Sequence, residues 1–192
     1  MNHALRAFGF PERSLEEVRR FIGNGVVKLM QRATPEGTDK ETDAKCLEVF
    51  RSYYLIHMQD MTAPYEGVIP LLERLREKGI RTAVVSNKLH EAVYELCNDY
   101  FPGLIQEAIG VSDENERKPS PVNVYKALDK MQVTADECIY IGDSEVDVQT
   151  SHNAGVKCIG VTWGFRDREE LFAAGAEIIS DSCDEILELI TD

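Results

Sequence analysis

Positive charge is scarce in this sequence: 21 Lys and Arg stand against 34 Asp and Glu, giving a formal charge of −13 over 192 residues. A nucleic-acid partner calls for a basic stripe to neutralise phosphates, and no Lys/Arg run occurs, which argues against that class. Long apolar runs are lacking too. None approaches the roughly 20 residues that span a bilayer, and Met1-Asn-His-Ala-Leu-Arg6 has no signal-peptide core. Cysteine pairing is equally absent. Cys46, Cys97, Cys138, Cys158 and Cys183 are far apart, odd in number and form no Cys-x-x-Cys, so they read as ordinary thiols of a reducing compartment. His3, His57, His90 and His152 give no zinc spacing. The expectation is a soluble cytoplasmic protein without a membrane or nucleic-acid partner.

What is present is enough apolar residue, 43%, for one α/β core plus a small second unit. Residues 1–63 show helical periodicity and no strand. Leu15, Val18 and Ile22, then Val26, Leu29, Met30 and Ala33, mark two short helices broken at Gly23-Asn24-Gly25, and Cys46 to Tyr54 marks a longer one. Thr62-Ala-Pro64-Tyr-Glu-Gly67 has linker composition. Residues 64–192 then alternate: a helix from Val68, a strand at Ile80–Val85, a helix at His90–Tyr100, a strand at Leu104–Ile109 and a helix at Pro121–Met131. A strand at Cys138–Ile141, a helix at Val146–Ala154 and a strand at Lys157–Val161 follow. The tail adds a helix near Glu169–Ala173, a strand at Glu177–Ile179 and a helix from Cys183. Such alternation predicts a parallel, doubly wound, Rossmann-like sheet.

Sheets of this kind bind ligands at the carboxyl ends of their strands, and three strand ends carry polar groups here. Asp143 ends one strand and Asp147 lies in the first turn of the next helix. Two such carboxylates suit a hard cation such as Mg²⁺. The plainer reading of Ser144-Glu-Val-Asp147 is a capping box. A calcium loop fails, because Val148 stands where its sharp turn needs Gly. Ser86 and Asn87 follow the first strand and could simply cap the next helix; Lys118 before Pro119 could be a solvated loop lysine. Together, at successive strand ends, a hydroxyl, an ammonium and a carboxylate pair are the parts that hold a phosphoryl group.

These residues resemble the motifs of the haloacid dehalogenase-like hydrolase superfamily. Val84-Val-Ser-Asn-Lys88 is similar to its second motif, Arg117-Lys-Pro-Ser-Pro121 to its third, and Ile141-Gly-Asp-Ser-Glu-Val-Asp147 to its fourth. Within it, Ser-Asn-Lys, Gly160-Val-Thr-Trp-Gly164 and an inserted helical unit resemble phosphoglycolate phosphatases. The resemblance covers the whole chain. It implies that residues 1–63 are a cap on an α/β core of residues 64–192. Ser86 and Asn87 would meet phosphoryl oxygens, Lys118 would neutralise charge beside the nucleophile, and Asp143, supported by Asp147, would coordinate Mg²⁺. Arg20, Asn24 and Lys28 are the cap residues that would touch the carboxylate of a small phosphorylated substrate such as 2-phosphoglycolate.

One element of the resemblance is missing. The family's first motif, an apolar strand ending Asp-x-Asp-x-Thr, supplies the nucleophile and the general acid, and no two aspartates here stand two positions apart. That strand is the central one of the family's sheet. Losing three or four buried apolar side chains at about 1.5–3 kcal/mol each rivals a domain's whole stability of roughly 5–15 kcal/mol. The expectation is therefore a chain shortened ahead of its nucleophile and inactive as it stands, in preference to a natural inactive relative. The strands at Ile80–Val85 and Cys138–Ile141 should then face each other across an empty strand position. The alternatives are a sugar phosphomutase of the same superfamily and a non-catalytic phosphate-binding or interaction protein.

Overall fold

The spacing of apolar residues at the start of the chain produces helices alone. The computed structural model describes residues 1–22 and 25–191, and they divide into two compact units, 1–63 and 64–192. The first comprises α1 (Asn2–Ala7), α2 (Leu15–Phe21), α3 (Gly25–Ala33) and α4 (Lys40–His57). Two of these helices, α2 and α4, start where the sequence supplies a cap. Ser14 and Glu17 form a capping box on α2, and the Asp39 carboxylate accepts from the backbone N–H groups of Glu41 and Thr42 on α4. Ala4, Leu5, Met30, Ala33, Cys46 and Phe50 form this unit's core.

The second unit alternates as expected: α5 (Val68–Glu77), β1 (Ala83–Leu89), α6 (His90–Tyr100), β2 (Glu107–Val111), α7 (Val122–Met131), β3 (Ile139–Gly142), α8 (Glu145–Ala154), β4 (Lys157–Val161), α9 (Arg168–Ala173), β5 (Ile178–Ser180) and α10 (Cys183–Thr191). Every strand pair is parallel, as helical crossovers require. No helix among the described residues is long and apolar enough to cross a membrane.

Two strands differ from the periodicity. β1 begins three residues later than expected and runs through Ser86-Asn87-Lys88, and β2 is displaced toward its C-terminus. The pairing explains the shift: Ala83, Val84 and Val85 match Glu107, Ala108 and Ile109, then the register slips so that Leu89 meets Val111. The polar triplet read as the strand's exit is thus an irregular stretch inside it, where the backbone departs from the ladder and the Ser86 hydroxyl accepts from the Lys88 N–H at 3.2 Å.

The strands form two sheets rather than one, β1-β2 and β3-β4-β5. Among the described residues β1 does not pair with β3, so each has one edge without a strand partner. Exposure differs along the same division. A central strand of a parallel sheet is buried on both faces, and β4 is buried from Cys158 to Val161. β1, by contrast, has no fully buried residue, and Ile141 of β3 is 38% exposed. Helices and the inner strands complete the core in three clusters, the largest around Leu71, Leu75, Ile159, Val161, Ile186 and Leu187.

Candidate active site

Lys118 is the residue that joins the separated sheets. Its Nζ donates to the Val85 carbonyl of β1 at 3.3 Å, to Tyr140 Oη of β3 at 3.4 Å and to Asp147 Oδ1 of α8 at 2.7 Å. Asp147 is buried and Lys118 largely so, with side-chain exposures of 14% for Lys118 and 8% for Asp147. The solvated-lysine reading is thereby set aside.

Asp147 collects further donors. Ser144 Oγ donates to its Oδ2 at 2.6 Å, Tyr140 Oη to its Oδ1 at 3.0 Å and the Asp143 N–H to its Oδ2 at 3.3 Å. The capping-box reading holds by half: Ser144 is the N-cap of α8 and its Oγ accepts from the Asp147 N–H, but the Asp147 carboxylate takes the Asp143 N–H in place of the Ser144 N–H. Burial alone would raise the Asp147 carboxyl, but the Lys118 ammonium and these hydroxyls outweigh it and hold the group below the ordinary carboxylate range. Tyr140 is pushed the other way, upward, by burial and by the Asp147 charge.

Asp143 is the costlier carboxylate. Burial raises it, the neighbouring Asp147 charge raises it further, and the Phe165 N–H and Lys118 offset only part. Its Oδ2 accepts from that N–H at 3.0 Å, and its carbonyl accepts from the Arg166 N–H at 3.2 Å. Arg166 is itself buried and pairs with Glu145 at 2.8 Å, so the loop after β4 wraps Asp143 from one side.

Two glycines are required by this crowding. A Cβ on Gly142 would stand 2.2 Å from Asp147 Cβ, and one on Gly164 would stand 2.0 Å from Asp143 Oδ2. Neither approach is possible for any other residue without displacing an aspartate.

Of the residues read from the sequence, Lys118, Asp143 and Asp147 come together, and Ser86 follows Val85 on the strand that Lys118 touches. Asn87 has a different engagement from the one expected: its carboxamide accepts from the Lys118 N–H at 2.6 Å and donates to the Lys118 carbonyl at 3.3 Å. Arg20 lies in the helical unit in an exposed pair with Glu16, Lys28 is exposed on α3, and Asn24 lies outside the described residues. Tyr140, Phe165 and Arg166 were not singled out in the sequence. Tyr140 was legible as the one polar-tipped residue in an apolar strand, and Phe165-Arg166 directly follow the Gly160–Gly164 stretch.

A sequence profile described as haloacid dehalogenase-like hydrolase matches residues 1–161. Phosphoglycolate phosphatase of Vibrio parahaemolyticus is 31% identical over 196 residues, covering 98% of this chain and 86% of that protein. The enzyme of the same name from Aquifex aeolicus is 30% identical over 168 residues, 86% of this chain and 76% of its own length. Among solved structures, a protein provisionally named phosphoglycolate phosphatase from Lactobacillus delbrueckii subsp. bulgaricus superposes with a TM-score of 0.93 at 34% identity, over 98% of this chain and 88% of that one.

Proposed function

The chain belongs to the haloacid dehalogenase-like hydrolase family, and from that premise we propose that its α/β unit holds the phosphoryl group of small phosphate monoesters for hydrolysis, with 2-phosphoglycolate as the favoured substrate. The observation that carries this reading is the largely enclosed Lys118, held between β1, β3 and Asp147. An ammonium fixed at the carboxyl ends of parallel strands is placed where such sheets take anionic ligands. The names of the relatives support the choice of substrate.

In this reading the Ser86 hydroxyl, whose oxygen accepts from Lys88, donates its proton to a phosphoryl oxygen. Lys118 neutralises charge between that group and the attacking carboxylate. Asp143 would hold Mg²⁺, with Asp147 in support. The donor set fits: no group of three metal-ligating side chains exists among the described residues, but Mg²⁺ commonly takes only one or two carboxylates and fills its shell with water and phosphate oxygens. Bound there, the ion would draw negative charge from the phosphoryl oxygens. Arg20 and Lys28, with Asn24, remain proposed contacts for a substrate carboxylate.

The attacking carboxylate is the part these 192 residues do not contain. We place it on a further strand seated between β1 and β3, a position supported by the open edge of each. On that strand an aspartate oxygen attacks phosphorus as the ester oxygen departs with a proton from the neighbouring acid. The 192 residues alone then bind phosphate without turnover. A non-catalytic phosphate-binding protein is the second reading, favoured by the absence of an Asp-x-Asp pair. A phosphomutase would differ in releasing an isomeric sugar phosphate instead of inorganic phosphate. A cytoplasmic setting, in keeping with five free thiols, and the absence of nucleic-acid and membrane partners belong to the same proposal.

Calorimetric titration of inorganic phosphate into the chain tests the site. Binding is expected with Mg²⁺ present and is lost in Asp143→Asn; a chain that takes up no phosphate under either condition contradicts the reading.

A further inference from the structure

We propose that Asn87 is a positioning residue that acts through Lys118, a role that rests on the phosphate-holding reading above. Lys118 lies between the 3₁₀ turn at Glu114–Glu116 and α7, in no helix or strand that could satisfy its backbone. The Asn87 carboxamide stands in for a neighbouring peptide group. Its Oδ1 accepts from the Lys118 N–H at 2.6 Å and its Nδ2 donates to the Lys118 carbonyl at 3.3 Å, so one side chain engages both backbone groups of one residue.

The geometry matters because a lysine ammonium rides on a flexible four-carbon stem. Holding Nζ at 2.7 Å from Asp147 fixes only the far end of that stem. β1 grips both ends: the Val85 carbonyl takes Nζ, and Asn87, two residues on, holds the backbone. Asn153 of α8 adds a third tie, donating from Nδ2 to the Pro119 carbonyl at 2.8 Å. The loop carrying the ammonium is thus pinned between the strand that bears Ser86 and the helix that bears Asp147. The irregular register after Val85 is the local feature that accompanies this, since it releases Asn87 from a regular ladder position opposite β2. Asn87 therefore sets where the positive charge stands relative to Ser86, and does not itself bind the phosphoryl oxygens.

A double-mutant cycle on the 192-residue chain, read as the affinity for inorganic phosphate in Mg²⁺, tests this. Asn87→Ala should weaken binding about tenfold, the size of one to two lost hydrogen bonds. In a Lys118→Ala background it should weaken binding no further, because its effect passes through the residue already removed. Amide exchange at Lys118 should accelerate at least tenfold in Asn87→Ala and stay slow in Asn87→Asp, which keeps the acceptor for that N–H. Circular dichroism and α7 amide protection check the fold; if Asn87→Ala unfolds the unit, the neutral Asn87→Ser replaces it in the cycle with the same non-additivity expected. Additive losses, or unchanged exchange at Lys118 in Asn87→Ala, overturn the inference while leaving the phosphate site standing. A wild-type chain that takes up no phosphate overturns the reading of the site and this inference with it.

Discussion

Replacing Lys118 by Met removes the ammonium from a buried pair and keeps most of the stem's packing. The cost follows from what Asp147 retains. With its side chain 8% exposed and its nearest cation at 2.7 Å, a bare carboxylate would be left in the interior, and breaking such a pair costs about 3–5 kcal/mol. Ser144, Tyr140 and the Asp143 N–H still donate to it, which places the expected loss near the lower end, at about 3 kcal/mol. The pH dependence has a definite sign. In the wild type Asp147 is depressed despite its burial, so its stabilisation is present above the unfolded value near 4 and is lost as pH falls through the folded one. Without Lys118, burial governs and the carboxyl rises above the ordinary range. Its protonated form is then favoured, and the penalty appears as pH rises through the new value. The deficit of Lys118→Met should therefore be largest at pH 7.5 and shrink toward pH 5, by at most about 1.4 kcal/mol per pH unit. Urea denaturation followed by the fluorescence of Trp163, the single tryptophan and a neighbour of the α/β core, reports on this unit. Arg74→Met, which breaks an exposed pair with Asp184 in the same unit, should cost less than about 0.5 kcal/mol. A Lys118→Met deficit below about 1 kcal/mol, or one that grows on acidification, refutes the argument.

Tyr140→Phe removes one hydrogen bond from the same carboxylate and should cost about 1.5–3 kcal/mol in the same urea assay, since the acceptor is charged. Gly164→Ala brings a methyl onto Asp143 Oδ2; thermal melting should show a clear loss, and a variant as stable as the wild type would mean the loop after β4 can move aside. Mg²⁺ at millimolar concentration should raise the melting temperature of the wild type and leave that of Asp143→Asn unchanged, because only a ligand that binds the folded state stabilises it. Asp39→Ala, which removes the cap of α4, should lower the thermal stability of the helical unit in circular dichroism.

Periodicity was enough to find the helices from α2 onward and the β4 strand, because amphipathic spacing and capping residues act locally; it did not find α1. It misplaced β1, where Ser86-Asn87-Lys88 has loop composition and yet continues the strand through a register slip that only pairing with β2 creates. That β1 and β3 fall in separate sheets was legible solely through family resemblance, because strand pairing is non-local and no local pattern announces it. Within the site, Lys118, Asp143 and Asp147 followed from their places at strand ends. Asn87 was legible as polar, but its partner was not, since nothing in the sequence says that its carboxamide meets the backbone of Lys118. Gly142 reads as a strand break, while its physical necessity, the close approach of Asp147, exists only in three dimensions.

The proposed function requires a phosphoryl group held at Lys118 and an attacking carboxylate supplied by a further strand. The direct measurement is release of inorganic phosphate from 2-phosphoglycolate in Mg²⁺ by these 192 residues alone and by a version that also carries an apolar strand ending Asp-x-Asp-x-Thr. Turnover by the strand-bearing version only, abolished by Asp143→Asn, is the predicted result. Turnover by the 192 residues alone that Asp143→Asn abolishes would contradict it, and would place the nucleophile among the residues described above.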